Sequence, residues 1–115
     1  TEYKKYVEKT RILKTEYFEE SLKLQNSMRE QKMASYILLQ LKFENMTIEE
    51  ADEALDGCIR ENDIRGISPE GELYLILTQA DDKALPLILK RLERKGFEGK
   101  VIDSPDKKEL AGEKA

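Results

Sequence analysis

Histidine is absent from the 115-residue chain, and cysteine occurs once. The first absence removes the commonest general base and a common metal ligand. Serine-hydrolase and cysteine–histidine chemistry in their usual forms go with it. A zinc site would have to be built from carboxylates, against the ordinary nitrogen and sulfur ligand sets. A single cysteine, Cys58, excludes an internal disulfide and fits a reducing, cytoplasmic compartment. No apolar run approaches the length of a membrane span, and no signal-peptide pattern is present. Positive charge is not in excess either: the formal net charge is -4. There is therefore no broad basic surface to hold a nucleic acid polymer or a membrane.

What is present is an ordinary soluble balance, with 38% charged and 39% hydrophobic residues. This length predicts one domain with a single core. The first residue is Thr1 rather than Met, and a larger protein carrying this domain is the expectation that goes with it.

Glu2 to Glu30 contains neither Gly nor Pro, and the spacing of its apolar residues predicts one long helix over residues 1–33. Two uses of its stripe stay open: packing on its own domain, or a coiled-coil seam in a homodimer, although Glu20 and Ser27 interrupt the seam. "SYILLQLKF", Ser35 to Phe43, reads as a strand buried on both faces. Thr47 and Glu50 form a capping-box pattern that opens a helix with Ile48, Ala51, Leu55, Cys58 and Ile59 inward. Cys58 within that stripe reads as a small core residue. "DIRGI" and "ELYLILT" are strand-like runs around the turn signal "SPEG", a hairpin turning at Ser68–Gly71. Asp81 and Asp82 predict the N-terminal cap of the next helix, with Leu85, Ile88 and Leu92 buried and Gly96 as its end. "KVID" is a short last strand, and residues 104–115 read as a polar, disordered tail.

The order after the first helix is β-α-β-β-α-β. This predicts an α+β fold, a ferredoxin-like antiparallel sheet with helices, occupying residues 34–103. The long N-terminal helix covers the other face or projects.

One feature of the hairpin exceeds what a turn requires: an Arg-x-x-Asp pair, Arg60 and Asp63, stands five residues ahead of "PEGEL". In that register the chain resembles the GGDEF domain family of diguanylate cyclases, whose Arg-x-x-Asp motif precedes a Gly-Gly-Asp/Glu-Glu-Phe hairpin by the same interval. The resemblance runs over residues 10–103. It extends through "LYLILTQADDKALPLILKRL", takes in "YILLQLK" as the first strand, and reaches back to "TRILKTEYFEESL", where Thr10, Ile12 and Phe18 match the family's helix entry.

The departures from the family pattern fall on its catalytic parts. A cyclase holds a divalent cation on its triphosphate with acidic residues. The resemblance places the first-strand metal aspartate on Gln40 and an acid of the tip on Gly71, leaving Glu72 alone in register. The tip glycines fall on Pro69 and Glu70, the asparagine and arginine of the entry motif on Lys14 and Thr15, and the guanine-binding segment is shortened to "FENMT". The resemblance therefore implies a degenerate member: not an enzyme, with no catalytic residue, metal or cofactor.

Arg60 and Asp63 match the family's inhibitory site, and the resemblance implies cyclic di-GMP as the ligand. The resemblance also implies a second arginine from the helix after the hairpin, which counting without gaps places on Arg91, with Arg94 one turn on. The chemistry is sound on its own terms, since an arginine fork matches guanine O6 and N7 and a carboxylate accepts from guanine N1–H and the N2 amine. The implied role is that of the PelD-type cyclic di-GMP receptors, in bacterial exopolysaccharide or biofilm regulation, with a secretion or signalling protein as partner.

Each of these residues also has a purely structural reading. Arg60 and Asp63 would be a surface ion pair at a helix end, worth about 0.5 kcal/mol. Arg91 and Arg94 would complement a helix dipole. Arg65 reads as a solvated sheet-edge charge, and Glu70 and Glu72 as exposed tip carboxylates. The alternative function is a nucleotide-free scaffold for dimerisation or partner docking.

Overall fold

The structure is a computed structural model, and it describes residues 2–105. Four strands form one antiparallel sheet: β1 (Tyr36–Phe43), β2 (Ile64–Ile67), β3 (Leu73–Thr78) and β4 (Phe97–Asp103), in the order β2-β3-β1-β4. With α2 (Ile48–Leu55) and α3 (Leu85–Arg94) this is the expected βαββαβ ferredoxin-like arrangement. β1 pairs with β3 on one side and β4 on the other, so its place is interior, as its unbroken apolar run predicts.

Alternation along the strands sorts the core into two layers. Ile37, Leu39 and Leu41 of β1 and Leu73, Leu75 and Leu77 of β3 pack with Ala51, Leu55, Cys58 and Leu92 from the α2 and α3 side. Ile59, Leu85 and Ile88 are only partly buried against that cluster. Tyr36, Leu38 and Ile76 point the other way, onto Phe18 of α1 (Thr15–Glu30). Each fully buried Leu or Ile contributes about 1.5–3 kcal/mol.

The N-terminal segment departs from the single helix predicted over residues 1–33. A short 3-10 helix (Glu2–Lys5) is followed by a loop, and α1 begins only at Thr15. The open edge of β2 explains the difference. Leu13 donates its N–H to the Arg65 carbonyl at 2.9 Å and accepts from the Ile67 N–H at 3.1 Å, so residue 13 closes that edge as a parallel bridge. Val7 and Ile12 pair to support it at 2.8 Å, and Lys9 turns the chain at φ 63. Tertiary pairing here outweighs helix propensity. Gly66 then lets α1 lie directly on β2, because a Cβ there would fall 2.0 Å from Phe18 Cδ1. The apolar stripe of α1 is thus used within the domain, through Phe18 and Leu22.

Local expectations are met in part. Thr47 and Glu50 form the capping box at the start of α2. That helix stops at Leu55, and Cys58 reaches the core from the following turn. The hairpin turns at Ser68–Gly71, with the Gly71 N–H donating to the Ser68 carbonyl at 2.9 Å. Asp81 and Asp82 do not cap α3: its N-cap is Ala84, without a side-chain cap bond, and Pro86 occupies the first turn. Asp81 instead accepts from the Lys83 N–H at 3.0 Å. Gly96, at φ +95, ends the helix. β4 begins at Phe97, earlier than the predicted Lys100, because Phe97 packs edge-on against Phe43. Of the predicted polar tail, Ser104 is buried and residues 106–115 lie outside the described residues.

Arg65 is the clearest correction. It is not a solvated edge charge but 7% exposed. Its guanidinium bonds the Asp52 carboxylate and carbonyl, both at 2.7 Å, and the Asp56 carboxylate at 2.6 Å. Asp52 also accepts from the Arg11 N–H at 3.2 Å, so one buried charge cluster joins the N-terminal loop, α2 and β2. The Arg65 hydrogen bond holds the Asp56 carboxyl below its ordinary value.

Removing one partner of a buried pair leaves the other charge uncompensated, so Arg65→Ala should lose about 3–5 kcal/mol in chemical denaturation at neutral pH. A carboxyl with a depressed folded pKa stabilises above roughly pH 4 and loses that contribution as pH falls through the folded value. The part of the acid destabilisation due to Asp56 should therefore shrink in Arg65→Ala, with Arg11 left as the nearby cation. A loss below about 1 kcal/mol would place Arg65 at the surface after all.

Candidate binding site

The α2–β2 connection carries Arg60 and Asp63 as predicted, but the two differ in exposure. The Arg60 side chain is 54% exposed, whereas that of Asp63 is 3% exposed, so the expectation of a surface pair holds for the arginine alone. Asp63 Oδ1 accepts from Arg60 Nη2 at 3.1 Å and from the Thr78 N–H at 3.1 Å. Its Oδ2 accepts from the Arg60 N–H at 2.8 Å and from Arg60 Nε at 3.5 Å. Arg60 Nη2 also donates to the Thr78 carbonyl. Thr78 closes β3 opposite Tyr36, so the Arg-x-x-Asp turn is fastened to one end of the β1–β3 pair.

A cavity of about 380 Å³ opens beside this turn. Arg60 and Asp63 line it from the α2–β2 connection, Arg91 from α3, and Asp81 from the β3–α3 connection. Leu77, Ala80, Leu87 and Ile88 supply apolar lining. The fold thus brings three of the four predicted residues to one cavity. Arg94, one turn on, is exposed and does not line it. Cys58 also lines the cavity. Burial pushes its thiol pKa up, and Sγ sits 3.5 Å from the Ala54 carbonyl, so it offers no thiolate nucleophile. The apolar lining and Asp81 were not singled out from the sequence. Their only signal was "QADD", where β3 breaks off, and that stretch read as a helix cap.

The opposite end of the β1–β3 pair carries the hairpin tip. Gln40, 9% exposed, donates to the Glu72 carboxylate. An amide–carboxylate hydrogen bond stands where a cation site would need two carboxylates, so the residues present do not fit a metal-bound triphosphate. Among the described residues no group of three His, Cys, Asp or Glu is placed to hold a metal ion. The larger cavity at this end, about 780 Å³, is lined by Glu44, Glu72, Glu93 and Glu98 with Lys42 as its one cation. Such a wall repels phosphate rather than attracting it.

No protein-family model and no curated protein matches the chain. Solved structures do. The diguanylate cyclase SiaD from Pseudomonas aeruginosa, solved in complex with its activator SiaC, superposes with a TM-score of 0.68 at 17% identity, over 84% of this chain and 47% of that one. A DGC protein from Thermotoga maritima superposes with a TM-score of 0.62 at 18% identity, over 81% of this chain and 80% of that one. The chain therefore has the fold of diguanylate cyclase, or GGDEF-like, domains, and it spans about half the length of the SiaD chain. Among the described residues no helix is long and apolar enough to cross a membrane.

Gln40→Glu would set two carboxylates against each other on the β1–β3 pair. One of them then has a raised folded pKa, so the native state holds a proton that the unfolded chain releases, and stability falls as pH rises through that range. The variant should be about 1–3 kcal/mol less stable than wild type at pH 7.5. Most of that deficit should be recovered at pH 4.5, as read by thermal melts. A pH-independent deficit would show that Gln40 does not face Glu72.

Proposed function

We propose that this chain is a cyclic di-GMP-binding domain built on a GGDEF-like fold, without cyclase activity of its own. One observation carries the reading: Arg60 and Asp63 from the α2–β2 connection and Arg91 from α3 line one cavity with an apolar wall. An arginine fork binds guanine O6 and N7, and its plane stacks on a purine. Leu77, Ala80 and Ile88 give the base an apolar surface. Asp63 fixes Arg60 in place, and Arg91 is the second arginine, ahead of Arg94. The resemblance of the Arg60–Asp63 register to the GGDEF inhibitory site supports the same ligand. It also supports a role in bacterial second-messenger signalling, such as exopolysaccharide or biofilm regulation in the manner of PelD-type receptors, with the domain cytoplasmic and a partner protein downstream.

The other end of the sheet is unsuited to catalysis. Gln40 bonded to Glu72 and Gly71 at an acid position leave a metal triphosphate short of carboxylate ligands, and among the described residues the glutamates of the larger cavity are not grouped to hold a cation. GTP with Mg²⁺ should give no cyclic di-GMP above a protein-free control when followed chromatographically. Steady turnover by the purified chain would end this part of the reading.

A second reading is a scaffold without nucleotide, for homodimerisation or partner docking. The exposure of Leu24, Met33 and Leu87, at 59%, 68% and 55%, favours it. Titration calorimetry with cyclic di-GMP separates the two. Wild type should bind, and Arg60→Ala should bind about tenfold to a hundredfold more weakly, the usual worth of a bidentate base contact. Undiminished affinity in Arg60→Ala would move the site elsewhere, and a flat wild-type titration would favour the scaffold.

A further inference from the structure

A net charge of only -4 conceals a separation of charge across the fold. At the Leu41–Leu73 end of the β1–β3 pair, Glu44, Glu72, Glu93 and Glu98 line one cavity with Lys42 among them. Partly buried Phe43 gives that cavity an apolar wall, and Gly71, with open space where a Cβ would stand, keeps its rim clear. A second cavity, of about 310 Å³, is lined by Lys4, Lys9 and Lys14, with Glu8 beside them. Backbone pairing brings these lysines together. Lys14 donates its N–H to the Lys5 carbonyl at 2.8 Å, Tyr6 bridges to Leu13, and Val7 donates to the Ile12 carbonyl at 2.8 Å, so residues 5–14 form a hairpin. Lys9 sits in its turn at φ 63, a region uncommon for a residue other than glycine.

Both sets of charges are left without opposite partners inside the chain. Among the described residues, Glu44, Glu93, Glu98, Lys4, Lys9 and Lys14 are exposed and none of them is in an ion pair. Glu72 bonds the neutral amide of Gln40, which leaves its charge uncompensated. The two surfaces also stand on different elements. The lysines belong to the hairpin that closes the β2 edge, whereas the glutamates come from the ends of β1 and α3 and the starts of β3 and β4.

We propose that these surfaces fit each other on separate copies of the chain: the lysine-bearing hairpin of one copy docks in the glutamate-lined cavity of the next. Complementary potentials steer and orient such an encounter, while like surfaces repel and so disfavour the face-to-face alternatives. The two surfaces differ, so the contact is heterologous. Each copy in a pair still offers one unused surface, and addition runs on into a ring or an open row instead of stopping at two. Neither surface includes Arg60, Asp63 or Arg91, so the assembly stands whether or not their cavity takes a nucleotide. It also differs from a dimer through the exposed apolar residues Leu24 and Met33, which salt would not disperse.

Sedimentation velocity of the whole chain over a concentration series tests this with two double variants, Lys9→Glu with Lys14→Glu and Glu93→Lys with Glu98→Lys. All four positions are exposed and unpaired, so both variants should keep the wild-type thermal midpoint. Wild type should associate beyond a dimer at low ionic strength and become monomeric at about 1 M salt, where the Debye length falls to about 3 Å. Each variant alone should associate roughly tenfold or more weakly, because like charges then face each other. An equimolar mixture of the two should associate again, since the reversed surface of each complements the reversed surface of the other. Wild type that stays monomeric at low salt overturns the inference, whatever acidic or basic partner protein the two surfaces then take. Association that survives 1 M salt, that either double variant leaves unchanged, or that the mixture fails to restore overturns it as well.

Discussion

Six consecutive residues of β1, Tyr36 to Leu41, are shut off from water on both faces of the sheet, and a strand in that condition requires a covering layer on each side. α2 and α3 form one layer and α1 the other. The geometry of that second layer follows from contact distance. Gly66 has no Cβ, so Phe18 comes down onto β2 and brings α1 with it. The loop ahead of α1 then lies along β2 and closes the sheet edge. Burial of one strand thus sets the place of every helix.

Charge inside this frame is paired rather than excluded. Arg65 is enclosed by Asp52 and Asp56, and Asp63 by Arg60 and the backbone of Thr78. Such clusters add little net stability over apolar packing, because desolvation offsets most of the attraction. Their contribution is geometric. The Asp63 carboxylate ties the α2–β2 connection to the end of β3, so the half-exposed Arg60 guanidinium projects from a fixed base. A ligand that recruits it has to compete with the Thr78 carbonyl and the Asp63 carboxylate, so binding involves an exchange of hydrogen bonds rather than simple addition.

The two ends of the β1–β3 pair have different chemical characters. At the Tyr36–Thr78 end two arginines, two aspartates and an apolar wall share a cavity. At the Leu41–Leu73 end an amide–carboxylate bond and a ring of glutamates occupy the hairpin corner. The first arrangement suits a base with donors and acceptors on its edge. The second presents mostly negative charge, which repels a free phosphate. Along the chain, Arg60 and Asp63 stand at the first end, while Gln40 and Gly71 bring no acid to the second.

Local patterns in the sequence were enough for the element order, because each rests on neighbours a few residues apart. The apolar run of β1, the Thr47–Glu50 cap, the "SPEG" turn and Gly96 all speak for themselves in one window. The Arg60–Asp63 pair and Arg91 were singled out through the resemblance of their register to the GGDEF pattern, and the fold puts all three at one cavity. The failures lie where long-range pairing decides. Glu2 to Leu13 has a helical composition, but Leu13 is claimed by β2, distant in sequence, and Val7 pairs back with Ile12 to hold it there. Arg65 carries a charge that any window reads as solvated, and only the meeting of β2 with α2 buries it between two carboxylates. Asp81 looks like a cap beside the next helix, until the left-handed turn at Gln79 brings it to a cavity whose other walls come from residues 58–63 and 87–91. Sequence by itself determined which elements form and which arginine and aspartate stand together. Tertiary structure alone decided which charges are enclosed and which side chains share a cavity, because burial and cavity lining depend on partners that no local window contains.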